Sequence, residues 1–275
     1  MKLALYDDYR LGIVKGEQII DAEPLVAEKK YPCQDSMMYV IEHYDELKPA
    51  LQELEASAQG KALAEVKLQA PVPKPGKIVA APVNYQKHKA EMSLDKTIDD
   101  YGLFLKANSS IIGPGDTVEL PFTDRRTDHE LELGFVIGKK AKRVKAADAL
   151  SYVFGYLCLC DVTVRGGEDR STRKSFDTFT PIGPWIVTAD EFGDPGNVDM
   201  VLTVNGEVRQ KANTRDLIFD VPRLIEYASN VFTLFPGDVF ATGTPEGVAP
   251  IEDGDVIVLD IERIGQLTVN VKDRD

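Results

Sequence analysis

Apolar residues in this chain alternate more often than they recur at helical spacing. In "DHELELGFVIG" (128–138), Leu131, Leu133, Phe135 and Ile137 fall on one parity and Glu130 and Glu132 on the other, the period of a strand. "TVELP" (117–121) alternates in the same way. Apolar runs at 78–84, 181–188, 200–210, 237–244 and 255–271 read as further strands, and Asn205-Gly206 marks a tight hairpin turn within one of them. "VFGYLCLCDVTV" (153–164) is almost continuously apolar, interrupted by Asp161. Residues 1–20 read as a hairpin, with a second turn at Lys15-Gly16-Glu17.

Helical spacing is confined to a few places. Met37, Val40, Ile41, Tyr44 and Leu47 recur at three and four and predict a helix over 36–47. Pro49, with no amide hydrogen to donate, is expected to end it and open a second helix over 50–58. "YQKHKAEM" (85–92) reads as a short helix, and a further helix runs from Asp220, its N-cap, to Asn230 with Pro222 in the first turn. "LQAPVPKPGK" (68–77), with three prolines and a glycine, reads as a linker. The expected organisation is a small N-terminal domain over 1–70 and a larger one over 71–275. Strands outnumber helices without βαβ alternation, so the fold class is β-rich α+β.

Composition narrows the function classes. Thirty-two Lys and Arg against 45 Asp and Glu leave a formal charge of −13, which argues against nucleic acid and against an anionic membrane surface. Cys33, Cys158 and Cys160 are too few for a disulfide framework and too poorly spaced for zinc, which suits a reducing cytoplasm. No apolar run is long enough to span a membrane, and the start lacks the apolar core of a signal peptide. The expectation is a cytoplasmic protein.

Glu130 and Glu132 carry the first chemical hint. Residues i and i+2 of a strand project to one face, where two carboxylates repel unless solvent or a cation separates them. A solvated face and a divalent-cation site both fit that spacing. Asp161, in an apolar run, is costly to bury alone and would add a third oxygen donor. His129 adjoins Glu130 and so points to the opposite face, and His43 reads as a surface helix residue. His88 and Glu91 are three apart, so on a helix the carboxylate can orient the ring as a general base, although an exposed Lys-rich helix would place them alike. Lys174 could hold a substrate oxygen or lie on the surface. "ATGTPEGV" (241–248) is a small-residue loop that lets backbone approach a ligand, without the spacing of a P-loop.

Seven segments in order over residues 76–272 resemble the fumarylacetoacetate hydrolase family: "NYQKHKAEM", "FLKANSSIIGPGD", "DHELELGFVIGK", "GYLCLCDVTVR", "RKSFDTFTPIGPWIV", "LTVNGEVRQ" and "PGDVFATGTPEGV". The resemblance implies a mixed β-sandwich roll, a small N-terminal α/β domain and a homodimer. It implies that Glu130, Glu132 and Asp161 hold Mg²⁺ (or Mn²⁺), and that His88 and Glu91 lie on a segment that orders over the substrate. It assigns Lys174 to the substrate's keto group, Thr244 to its carboxylate, and Tyr85 and Arg165 to substrate binding. The implied substrate is a small 2-oxo acid. The implied reaction is hydrolysis of a C–C bond in an acylpyruvate-type 2,4-dioxo acid. Decarboxylation, tautomerisation or isomerisation, and hydration on the same site are alternatives, as is a catalytically weak binding protein. One departure stands out: Gly166-Gly167-Glu168 replaces a stretch where the family often has an acid and an amide. An acid for a neutral amide would change which substrate oxygen is recognised.

Overall fold

The structure, a computed structural model, describes residues 1–28 and 36–274, so Cys33 lies outside the described residues. Parity along the strand Leu131–Ile137 sorts the molecule into layers. Leu131, Leu133, Phe135 and Ile137 are fully buried in one core together with Leu202, Leu259 and Leu267 of a second sheet. Val136, on the other parity, belongs to a separate core with Leu157, Leu159, Ile186 and the helical residues Met37, Val40 and Leu51. The central sheet is thus covered on both faces, by a sheet on one side and helices on the other. Each fully buried Leu or Ile contributes about 1.5–3 kcal/mol of transfer free energy.

The larger sheet runs in space through Lys61–Ala62, Gln18–Asp21, Arg10–Lys15, Lys2–Tyr6, Thr180–Thr188, Val153–Cys160, Leu131–Ile137, Val239–Ala241, Ile78–Ala80 and Phe104–Lys106. The pairing of Val239–Ala241 with Ile78–Ala80 is the parallel step on this path. The second sheet runs through Glu207–Asn213, Asp199–Val204, Val256–Ile261, Gly265–Asp273 and Thr117–Leu120. Its Asn205-Gly206 turn has φ values of 52° and 80°, the doubly left-handed turn that matches strand twist. The expected β-rich α+β class is what the chain forms, a mixed roll of two large sheets with a further short pair, Thr127–Asp128 with Thr163–Val164.

The N-terminal residues make a three-strand meander that continues the larger sheet. Lys2 lies opposite Val187 and Leu3 opposite Ile186. Leu68–Gln69 returns to pair with Leu5 and Tyr6, and the proline-rich stretch then carries the chain to Ile78.

The helical prediction needs one correction. The break falls at His43 (φ −116°, ψ 21°), between helices Ser36–Glu42 and Tyr44–Ser57, and Pro49 sits inside the second. Leu47, Leu51 and Leu54 continue one apolar stripe across Pro49 onto the core. The proline forfeits a single helical hydrogen bond, which that packing outweighs. The last long helix, Val221–Val231, starts as expected, with the Asp220 carboxylate accepting the Arg223 N–H at 2.9 Å.

Strand Val153–Cys160 passes so close to its neighbour that Gly155 has no room for a side chain. A Cβ there would sit 2.4 Å from the Val187 carbonyl oxygen. Gly155→Ala is expected to destabilise the protein by about 1–3 kcal/mol in urea unfolding, because the clash is with backbone that cannot rotate away. A loss smaller than about 0.5 kcal/mol would mean that the strand pair yields easily.

Candidate metal centre and active site

Strand register brings the three carboxylates together. Glu132 lies opposite Leu159 and Leu131 opposite Cys160, and the ladder continues with the Asp161 N–H donating to the Glu130 carbonyl at 2.9 Å. Opposite residues of an antiparallel pair share a face, as do i and i+2 on one strand. Glu130, Glu132 and Asp161 therefore meet on the face that carries Val136 and Leu159 further along. One carboxylate oxygen from each lies within 4.8 Å of the others, and all three side chains are buried. A solvated strand face is thereby excluded.

Buried cations compensate two of the three. Lys174 Nζ donates to Glu130 Oε2, Asp161 Oδ2 and Thr163 Oγ1, each at 2.7 Å. Arg165 reaches Glu130 Oε1 at 3.0 Å and Asp128 Oδ2 at 2.7 Å. Lys106, fully buried, pairs with Asp161 and donates to the Phe179 carbonyl at 2.9 Å. Burial opposes ionisation of Glu130, but the charges of Lys174 and Arg165 win and hold its pKa down at about 2. Glu132 differs: its observed partner is the Gly243 N–H at 2.6 Å, and it forms no ion pair among the described residues. Burial, then repulsion from Asp161 and Glu130, pushes its pKa well above the ordinary carboxylate value. A hard divalent cation fits this donor set, three convergent carboxylate oxygens with one carboxylate lacking a countercharge.

The rest of the site comes from loops at the same end of the sheet. Asn84 donates to the carbonyls of Phe219 and Thr242 and accepts the Phe219 N–H, which pins the start of helix Gln86–Glu91. Gly243 has φ 96°, and a Cβ there would lie 2.6 Å from Asn84 Cβ, so this contact requires glycine. On the helix, His88 Nδ1 lies 3.1 Å from Glu91 Oε2, while Glu91 Oε1 accepts the Gly247 N–H at 3.0 Å. With Nδ1 engaged, Nε2 is the ring nitrogen left for other partners. Gln210 Nε2 donates to Thr244 Oγ1 at 2.9 Å, and Gln210 Oε1 lies 3.1 Å from His129 Nδ1. His129 therefore faces the second sheet, on the side opposite Glu130, as its parity requires.

A cavity of about 60 Å³ is lined by His88, the three carboxylates, Arg165, Lys174 and Thr244. Tyr85 does not line it. Its ring is buried in the core, with a hydroxyl that has no hydrogen-bond partner, and burial raises its pKa. Glu168 does not line it either, because its carboxylate pairs with Arg125 at 2.8 Å near the surface. His43 sits at the helix break, its ring stacked on Tyr39. Sequence reasoning missed Lys106, Arg170 and Arg173. Lys106 lies in the quoted segment "FLKANSS", and its signal was a lysine on a short apolar strand; the arginines, on the short helix Arg170–Arg173, line the same cavity.

Comparison with known proteins gives concordant matches. The profile of the fumarylacetoacetate (FAA) hydrolase C-terminal family matches residues 77–272. A maleylpyruvate hydrolase of Aquipseudomonas alcaligenes is 46% identical over 288 residues, covering 99% of each chain. The crystal structure of maleylpyruvate hydrolase from Sphingobium sp. SYK-6 in complex with manganese(II) and pyruvate superposes with a TM-score of 0.90 at 43% identity over the whole of both chains. A 5-carboxymethyl-2-hydroxymuconate delta-isomerase from Mycobacterium smegmatis gives a TM-score of 0.70 at 41% identity, over 79% of this chain and 84% of its own.

The raised pKa of Glu132 gives a signed prediction. The folded protein without metal holds a proton that the unfolded chain releases near 4.5, so this group's contribution to stability falls as pH rises above that value. A bound cation displaces the proton and removes the penalty. The rise in Tm on adding Mn²⁺, relative to EDTA, is therefore expected to grow between about pH 5 and about pH 8. A rise that is constant or shrinks with pH would contradict the assignment.

Proposed function

The chain belongs to the fumarylacetoacetate hydrolase family, and from that membership we propose that it hydrolyses a carbon–carbon bond in an acylpyruvate-type 2,4-dioxo acid. The observation that carries the reading is the convergence of His88, Glu130, Glu132, Asp161, Lys174 and Thr244 on one cavity. Glu130, Glu132 and Asp161 would hold Mg²⁺ or Mn²⁺; the manganese(II) and pyruvate bound together in the Sphingobium relative support a divalent metal and a pyruvate-type ligand. Such a cation supplies Lewis acidity toward the oxygens of a 2-oxo acid.

The protein's own groups carry the proton and positioning work. His88, oriented through Nδ1 by Glu91, takes a proton from water at Nε2. The water oxygen bonds to the C4 carbonyl carbon, and the C3–C4 bond breaks. Its electron pair goes to C3, which takes up a proton, so that pyruvate and the acid of the acyl arm leave. Thr244, held by Gln210, faces the substrate carboxylate. Arg165, tied to Asp128 and Glu130, adds positive charge at the same wall. All three N–H donors of Lys174 are spent on Glu130, Asp161 and Thr163. Reaching the keto oxygen requires it to release one of these three acceptors, of which the Thr163 hydroxyl is the uncharged one.

Removing the base should separate chemistry from metal binding. His88→Ala is expected to lower kcat by about 10²- to 10⁴-fold while Mn²⁺ affinity by titration calorimetry is retained. Loss of both in proportion would defeat the role. In a panel of acylpyruvates, oxaloacetate and 2-hydroxymuconate-type acids, assayed with Mn²⁺ and with EDTA, the acylpyruvates should turn over fastest and EDTA should abolish the reaction. Faster turnover of oxaloacetate or of a muconate-type acid would replace the hydrolase reading.

A further inference from the structure

Gln210 carries an amide into the apolar core. A bulge leaves Arg209 unopposed, so that Gln210 lies opposite Leu202 while Val208 lies opposite Thr203. Opposite residues share a face, and the amide therefore turns inward beside Leu202, between the two sheets, where it is 1% exposed. Such a group is costly to bury unless its N–H groups and its oxygen are bonded. Here they are. Oε1 accepts the Leu131 N–H at 2.9 Å and lies 3.1 Å from His129 Nδ1, while Nε2 donates to the Pro245 carbonyl and to Thr244 Oγ1, both at 2.9 Å.

The two backbone partners fix which way the amide faces, and with it the direction of every bond in the chain. Turned over, the amide would set its N–H against the Leu131 N–H and its oxygen against the Pro245 carbonyl. With Oε1 toward His129, Nδ1 carries the proton of the neutral imidazole, and Nε2, buried without a hydrogen-bond partner among the described residues, is the bare lone pair. With Gln210 donating to Thr244 Oγ1, that hydroxyl keeps its own proton for another acceptor. It has no other partner among the described residues, and Thr244 lines the cavity of the three carboxylates. The donors run one way, from His129 to Gln210, from Gln210 to Thr244, and from Thr244 into the cavity.

The same amide joins two parts of the site. Leu131 lies between Glu130 and Glu132, and Thr244 follows Gly243, whose N–H holds Glu132. Glu132 at Gly243 and Glu91 at Gly247 hold both ends of the loop without Gln210, so what Gln210 adds is the position and direction of the Thr244 hydroxyl. We propose that Gln210, set by His129, is a positioning residue for recognition of the substrate's carboxylate: it fixes the Thr244 hydroxyl relative to the strand of metal ligands and turns its proton toward the cavity. The inference rests on the proposed function for the identity of that anion, and on the hydrogen-bond geometry for the rest. Hydrogen bonds in series that point one way strengthen one another, which suits an oxygen that can only accept.

A double-mutant cycle tests it without turnover. Pyruvate binding to the Mn²⁺-loaded protein is measured by calorimetry for wild type, Gln210→Met, Thr244→Val and the double variant. Each single change should weaken binding about tenfold, and the double variant should be no more than about twofold weaker than Thr244→Val, because Gln210 acts through the hydroxyl. Losses that multiply, no loss in Gln210→Met, or an equal loss of Mn²⁺ affinity overturns the proposal. Should Gln210→Met not fold, His129→Phe carries the same cycle with a smaller loss, about threefold, that disappears in the Thr244→Val background. His129→Asn, which keeps an N–H at the position of Nδ1, should restore binding. No loss in His129→Phe, a loss that persists without the Thr244 hydroxyl, or a loss that His129→Asn does not restore overturns the proposal. In turnover of acylpyruvates, Gln210→Met should raise KM about tenfold and change kcat by no more than about twofold. A fall in kcat alone overturns it. Coupled losses in pyruvate binding without hydrolysis of any acylpyruvate would uphold the positioning role and refute the reaction instead.

Discussion

Three carboxylates held out of water within a few ångströms of one another set the terms for this molecule. Isolated, each would be prohibitively expensive to bury, and together they repel. The fold answers with cations from distant parts of the chain: Lys106 from an outer strand, Lys174 at the end of a short helix, and Arg165 just beyond the second strand of the pair. Two carboxylates are thereby balanced and one is left short. That imbalance leaves a donor set that a divalent cation would complete.

The surrounding structure is arranged to keep that centre rigid. Glu130 and Asp161 are fixed by the strand ladder itself, and Glu132 is anchored by the Gly243 N–H. Gly243 can approach because it has no side chain to enter the space that Asn84 fills, and Asn84 at the same time fixes the helix that bears His88. Glu91 then ties that helix back to the same loop at Gly247. The imidazole and the carboxylates thus share one framework of backbone hydrogen bonds.

Much of this was readable from local pattern, because parity on a strand is a local property. Alternation placed Glu130 and Glu132 on one face and sent His129 to the other, and a lone acid in an apolar run singled out Asp161. What local pattern misses is contact across sequence distance. Lys106 meets Asp161 over 55 positions, and nothing near Lys106 announces it. The family resemblance singled out Lys174 and Thr244, but Tyr85 lies in the core behind the cavity and Glu168 is drawn off by Arg125. The misplaced helix break has the same origin: the proline rule is local, whereas the stripe of Leu47, Leu51 and Leu54 that carries the helix through Pro49 answers to the core.

The N-terminal meander has a consequence for how such chains can be shortened. Its first strand supplies the ladder partner of Thr180–Thr188, which itself abuts the strand leading to Asp161. A chain lacking these residues would leave Ile186 and Val187 without their ladder partners, at the end of a strand that Pro181 and Pro184 interrupt. A chain without the meander has only that short stretch of backbone to cover in another way. The N-terminal segment thus completes the ladder one strand away from the strand that leads to Asp161.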